Sequence, residues 1–141
     1  MTEIIFRYIH FIGIMSVSAT LVMQHLIIAP EVTKKELKKI AFLDIIYWIS
    51  IGLTLIAGLV LLLGVGKDIS FYMTNQDFHI KLTLFLVVIL LAVYPTLFLR
   101  KNKKSAEELI KMPKVIIMLV RMQLLLVFVI PYFGVLIARG Q

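Results

Sequence analysis

Hydrophobic residues are arranged along this chain in four long runs, at about 4–29, 40–64, 78–99 and 115–138. Each run holds roughly 20 or more residues, the length that an α-helix needs to cross ~30 Å of hydrocarbon at ~1.5 Å per residue. The connections between the runs are short and polar, which makes consecutive helices antiparallel neighbours. The pattern predicts an all-α integral membrane protein with one transmembrane domain, residues 1–141, folded as an up-and-down four-helix bundle.

Polar residues at the edges of the runs predict where the helices start. Thr33 and Glu36 have the spacing of a capping box, in which each side chain accepts a hydrogen bond from the other residue's backbone N–H. Thr74 with Asp77 is a similar start signal for the third helix. Both starts lie a few residues outside the apolar runs, so we expect the helices to extend beyond the hydrocarbon.

Two further features bear on how the helices pack. Pro95 should kink the third helix and free the carbonyl of Leu91, because proline has no N–H to donate. Small residues recur every three or four positions on the first two helices, and such stripes let helices, or a flat ligand, approach closely. The stripes consist of Gly13, Ser16 and Thr20 on the first helix and Ser50, Thr54 and Gly58 on the second.

The distribution of charge predicts the orientation of the bundle. The 15 Lys and Arg residues outnumber the 8 Asp and Glu residues. Ten of the basic residues lie in the first and third connections: Lys34, Lys35, Lys38, Lys39, Arg100, Lys101, Lys103, Lys104, Lys111 and Lys114. The positive-inside rule then predicts that these connections are cytoplasmic and that both termini lie on the outer side.

Composition excludes several classes of function. The chain has 61% hydrophobic and 16% charged residues, which leaves no soluble domain that could present a basic face to nucleic acid. The expected partner is the lipid bilayer. The absence of cysteine excludes disulfides, thiolate metal sites and iron–sulfur clusters. Pairing of two copies into a homo-oligomer is left open by the sequence.

Ionisable residues near the outer ends of the first and third helices form the first candidate site. His10 lies inside an apolar run, where an ionisable group is costly unless it binds, pairs or reacts. We interpret His10 and His79 as candidate axial ligands of a haem b, with Arg7 and Lys81 as partners of its propionates. Gly13, one turn from His10, would leave room for the edge of the macrocycle.

Other interpretations of this site remain open. Met73 could replace His79 as the second axial ligand, and the two histidines could instead hold zinc or copper. The simplest alternative is structural: His10 hydrogen-bonds a neighbouring helix, while His79 and Lys81 lie at the membrane surface. Residues 79 and 81 are ~200° apart on a helix, so both point inward only if that end is irregular.

A second polar cluster is expected toward the cytoplasmic side. Asp44 and Arg121 lie in the same leaflet, where an ion pair would make both tolerable. His25 and Tyr94 could extend that pair into a proton path or a second cofactor site. Gln24, Tyr47 and Gln123 belong to the same set, and the favoured interpretation of the whole set is a structural polar network.

Several short segments resemble known families. Arg7-Tyr-Ile-His10-Phe-Ile-Gly13 and Phe78-His79-Ile-Lys81-Leu82 resemble the HemJ-type protoporphyrinogen IX oxidases. Nearly the whole chain, including Tyr94-Pro95-Thr96 and Ile137-Ala-Arg139-Gly140, resembles a family of small predicted bacterial membrane proteins of unknown function that is related to HemJ and to the CopD copper-resistance proteins. The resemblance implies a multi-pass protein of the bacterial inner membrane.

The resemblance to HemJ implies a function as well. In that family a first-helix histidine is implicated in binding haem b, and His10 matches it, while His79 and Lys81 match the H-x-K of the third helix. We therefore expect a haem b-binding redox protein, an oxidoreductase acting in porphyrinogen oxidation or in electron transfer, with a quinone or a membrane protein as its partner. The alternatives are a non-enzymatic accessory or scaffold subunit of a larger membrane complex and a copper-handling protein of the CopD type.

Overall fold

The fold is described by a computed structural model, which covers residues 2–65, 69–102 and 108–138. Within these ranges the order of elements is α1 (Thr2–Ile27), β1 (Glu31–Thr33), α2 (Lys34–Val60), α3 (Ile69–Thr74), α4 (Gln76–Asn102), β2 (Leu109–Lys111) and α5 (Lys114–Ala138). A π-helical segment, Leu61–Val65, continues α2. Lys103, Lys104, Arg139 and Gly140, which the sequence arguments use, lie outside the described residues.

Four of these helices, α1, α2, α4 and α5, are long and apolar enough to cross a membrane. They pack as a ring in which α1 contacts α2 and α5, while α4 contacts α5 and α2. The predicted membrane-spanning four-helix bundle is therefore confirmed. We call the end that carries β1 and β2 the loop end, and the opposite end, where α1 and α4 begin and α2 and α5 finish, the terminal end.

A short β-ribbon closes the loop end, which the sequence did not predict. β1 and β2 pair antiparallel, with Val32 opposite Ile110. Both of these residues are buried, and their neighbours along each strand are exposed. They join a hydrophobic cluster with Met112, which follows β2, and with residues of α2, α4 and α5, namely Leu37, Ile40, Ala41, Leu99 and Ile116. The ribbon thus fastens the first connection of the chain to the third.

The starts of α2 and α4 are fixed by side-chain hydrogen bonds. The capping box is present as predicted: Glu36 N donates to Thr33 Oγ1 (3.1 Å) and Thr33 N donates to Glu36 Oε1 (2.9 Å). At α4 the prediction is wrong by one residue, because Phe78 N donates to Asn75 Oδ1 (3.2 Å). Thr74 is the last residue of α3, and its hydroxyl donates to the Ser70 carbonyl within that helix.

The proline in α4 does not end the helix, which continues to Asn102. Its effect appears at the Leu91 carbonyl, which accepts a hydrogen bond from Gln123 Nε2 of α5 (3.5 Å). Gln123 Oε1 in turn accepts from the Tyr47 hydroxyl of α2 (2.8 Å). This buried chain of hydrogen bonds joins three helices in the middle of the bundle, among apolar side chains that include Val17, Leu21, Ile51, Val88, Ala92 and Val127.

Candidate functional site

The terminal half of the bundle brings together residues from all four spanning helices. His10 comes from α1, Thr54 and Gly58 from α2, Lys81 from α4 and Gly134 from α5. Their placement follows from helix periodicity, because positions four apart, such as Thr54 and Gly58, lie on the same face. We call this group the His10 site.

The His10 ring is held by the backbone of α2. Its Nδ1 lies 2.9 Å from the carbonyl oxygen of Thr54. A carbonyl oxygen only accepts hydrogen bonds, so Nδ1 carries the hydrogen and, in the neutral ring, Nε2 carries the lone pair. The half-buried ring therefore has a fixed orientation and tautomer, with a nitrogen that can accept a proton or bind a metal ion.

Two glycines make close contacts here, and they have different roles. A methyl group on Gly58 would lie 3.1 Å from His10 Cε1, so the absence of a side chain at Gly58 gives the ring its place. A methyl group on Gly13 would collide with the Thr54 side chain and approach the Thr54 nitrogen to 3.1 Å. The space beside Gly13 is thus occupied by Thr54 of α2. Gly13 therefore does not provide the room for the edge of a macrocycle that the sequence suggested.

Lys81 turns toward the inside of the bundle near His10. A methyl group on Gly134 of α5 would lie 3.8 Å from Lys81 Nζ. The ammonium group is also within electrostatic range of His10. Lys81 is half-buried and is the cationic residue that the structure places in the His10 site.

His79, in contrast, is exposed and directed to the outside of α4. Its Nε2 lies 2.7 Å from the carbonyl oxygen of Met73 in α3. It lines a shallow surface groove with Thr74, Gln76, Ile80, Thr83 and Leu84. Because residues 79 and 81 are ~200° apart on a regular helix, the inward direction of Lys81 sends His79 outward. The structure therefore does not bring His79 to His10 as a second ligand.

The structure places the two remaining candidates at the surface. Arg7 is exposed on α1, and Met73 is exposed on α3. No group of three or more His, Asp or Glu residues that could hold a metal ion occurs in the described part of the chain. A zinc or copper site built from several side chains has no counterpart there.

The second polar cluster contains Asp44 and Gln24 of the predicted set, together with Trp48 and Thr96, which the sequence did not group with them. Asp44 is 7% exposed, and its polar neighbours are Gln24 of α1, Trp48 of α2 and Thr96 of α4. Trp48 Nε1 donates to Thr96 Oγ1 (2.7 Å). The amide nitrogen of Gln24 is buried and has no hydrogen-bond partner among the described residues.

Three of the residues that were expected in this cluster do not join Asp44. Arg121 and Tyr94 are exposed on the outer surface of α5 and α4, and His25 is half-buried near the end of α1. Within the described ranges, no ion pair or hydrogen bond links any of them to Asp44. Arg100 of α4 is the cationic residue that acts on the Asp44 carboxylate.

The sequence pointed to His10, Lys81 and Gln24 as members of polar sites but did not assign Thr54, Gly58, Trp48 or Thr96 to either site. Thr54 and Gly58 belong to the small-residue stripe of α2, which was interpreted as a surface for the close approach of a helix or a flat ligand. A histidine on the helix next to such a stripe is the signal that could have connected Thr54 and Gly58 with His10. Thr96 carries no comparable signal, because its meeting with Asp44 depends on the rotation of α4 relative to α2.

A family model for predicted membrane proteins, described as "Predicted membrane protein (DUF2214)", matches residues 2–141. The chain belongs to this family. No curated protein and no solved structure matches the chain. The family description agrees with the four spanning helices, and it assigns no activity to any member of the His10 site.

Proposed function

We propose that this protein binds one haem b at the His10 site and acts as a redox protein of the bacterial inner membrane. The activity would be electron transfer or a HemJ-like porphyrinogen oxidation, with a quinone or a membrane protein as the electron partner. The observation that supports this proposal is the hydrogen bond from His10 Nδ1 to the Thr54 carbonyl. Metal-ligating histidines regularly donate their other ring N–H to such an acceptor, which fixes the tautomer and raises the basicity of the ligating nitrogen.

The residues of the site fit a haem held by one imidazole. His10 Nε2 would hold the iron, and Lys81, together with Arg7 on the same helix as His10, would pair with the propionates. A bound haem would supply one-electron exchange between ferrous and ferric iron. The protein would contribute the orientation of the imidazole, a cation for a carboxylate and an apolar surrounding that excludes water.

The outward direction of His79 has a consequence for coordination. With His79 bonded to the Met73 carbonyl, His10 would be the one side chain of the site that holds the iron. A haem held by a single side chain would suit a site that binds a small molecule or reacts with a substrate.

Titration of the purified, detergent-solubilised protein with haem tests this proposal. We expect a Soret band that saturates at one haem per chain and that is lost in His10→Ala, because the substitution removes the axial ligand. His79→Ala and His25→Ala are matched controls, since each removes an imidazole outside the site, and both should keep the band. A wild-type protein without a saturable band, or a band of full intensity in His10→Ala, would contradict the proposal.

A second candidate function, a non-enzymatic subunit of a larger membrane complex, is supported by Arg121. This residue is exposed on a membrane-spanning helix, about 10 Å from the start of α5 at ~1.5 Å per residue. A charged side chain there either extends to the lipid headgroups or pairs with another protein. Stoichiometric co-purification of a partner that is lost in Arg121→Leu, with no bound haem, would favour this function.

A further inference from the structure

The seam along which α2 and α4 adjoin carries one exposed cation from each helix at the loop end. These cations are Lys38 of α2 and Arg100 of α4. The residues that precede them, Leu37 and Leu99, belong to one hydrophobic cluster, so the two cations lie at similar levels of the bundle. Arg100 also acts on Asp44 of α2, which places it on the side of α4 that faces α2.

An exposed apolar side chain follows each cation toward the middle of the membrane. Ile45 comes seven positions after Lys38, and it is 51% exposed. Val93 comes seven positions before Arg100, and it is 42% exposed. Seven positions are close to two helical turns, so each apolar residue lies on the same face as its cation, ~10 Å deeper. Each side of the seam therefore changes from charged to apolar with depth, as a phospholipid does.

The seam is also the loosely packed side of α2. This helix makes far fewer contacts with α4 than with α1. The hydrogen bond from Trp48 Nε1 to Thr96 Oγ1 joins the two helices in the interior, whereas Ile45 and Val93 remain exposed at the surface. A shallow apolar surface between two helices suits an acyl chain.

We propose that the loop end of the α2–α4 seam binds one anionic phospholipid. Lys38 and Arg100 would hold the phosphate, and an acyl chain would lie along Ile45 and Val93. This function goes beyond haem binding and does not depend on it, because the seam shares no residue with the His10 site.

The charge of the loop end favours an anionic lipid over a zwitterionic one. Residues 28–40, 99–102 and 108–116 contain eight Lys and Arg residues but three Glu residues. One of these, Glu36, accepts the backbone N–H of Thr33 in the capping box. Neither Lys38 nor Arg100 forms an ion pair in the described part of the chain. Basic side chains at a membrane surface attract anionic headgroups, whereas the choline of a zwitterionic lipid would bring another cation to this surface.

Native mass spectrometry of the purified protein in detergent, without added haem, tests the proposal. The probes are 1-palmitoyl-2-oleoyl phosphatidylglycerol and the phosphatidylcholine with the same acyl chains. We expect one phosphatidylglycerol per chain, bound more tightly than phosphatidylcholine. The double variant Lys38→Gln, Arg100→Gln should bind phosphatidylglycerol roughly 30-fold more weakly, since each basic residue near the surface contributes about a factor of five.

A second double variant, Lys111→Gln, Lys114→Gln, is the matched control. It removes the same charge from exposed positions of the loop end on β2 and α5, away from the seam. Its affinity for phosphatidylglycerol should stay close to that of the wild type. Equal losses in the two double variants would show that the lipid responds to diffuse charge, and this result would overturn the proposed site. If the seam variant does not fold, as judged by gel filtration, the comparison of Lys38→Gln with Lys114→Gln decides.

Competition with sn-glycerol 3-phosphate separates a lipid site from a site for free phosphate. This molecule carries a phosphate without acyl chains, so it should not displace the bound lipid at an equal concentration. Displacement by it would overturn the proposal, and so would equal affinities of the wild type for the two lipids. Failure here is distinguishable from failure of haem binding, because the mass reports the bound lipid and the Soret band reports haem.

Discussion

Two glycines control how closely α1 and α2 approach each other. Gly13 of α1 lies against Thr54 of α2, and Gly58 of α2 lies against the ring of His10. Each glycine thus lacks a side chain at the place where a side chain of the other helix lies. The position of His10 depends on both contacts, because the first sets the distance between the helices and the second accommodates the ring.

Gly13→Ala should therefore destabilise the protein. The new methyl group would meet backbone atoms of Thr54 at 3.1 and 3.2 Å, so the two helices must move apart. Overpacking of this kind costs about 1–3 kcal/mol of the free energy of unfolding. A lower thermal unfolding midpoint in detergent measures the effect.

Gly52→Ala is the matched control, because a methyl group there would have no atom within 4 Å. It should leave the midpoint unchanged or raise it slightly, since alanine favours the helix over glycine. Equal midpoints for Gly13→Ala and Gly52→Ala would show that the close contact at Gly13 does not determine stability.

At the level of elements, hydrophobic run length predicted the four spanning helices, and the Thr33–Glu36 spacing predicted the start of α2. The β-ribbon gave no signal, because strands of three residues are too short to show an alternating pattern. Val32 and Ile110 pack together although 78 positions separate them, and no local rule pairs such residues.

The candidate site was predictable only in part for a related reason. His10 was recognised because an imidazole inside an apolar run is unusual, and this signal does not depend on how the helix packs against its neighbours. The choice between His79 and Lys81 for the inward side of α4 depends on the rotation of that helix against α5, where Gly134 adjoins Lys81. The same limit applies to Asp44, whose neighbours on α1 and α4 are set by the packing of three helices.

At the scale of the whole molecule, the bundle has two chemically different ends. The loop end carries the described basic residues of the first and third connections, and the terminal end carries His10 and Lys81. The excess of positive charge supports our proposal that the loop end is cytoplasmic and that both termini lie outside.

Labelling of single cysteines in intact cells tests this orientation, and the cysteine-free chain gives it a clean background. Gln76→Cys, exposed at the terminal end, should react with a membrane-impermeant maleimide from outside. Lys35→Cys, exposed at the loop end, should react only after the membrane is permeabilised. The reverse result would invert the orientation and place the His10 site toward the cytoplasm.

Our central proposal is that His10 is the one protein ligand of a bound haem. Electron paramagnetic resonance of the ferric, haem-loaded protein tests it most directly. We expect the high-spin signal of a five-coordinate iron, unchanged in His79→Ala and absent in His10→Ala. A low-spin bis-histidine signal, or a signal that survives the loss of His10, would contradict the claim.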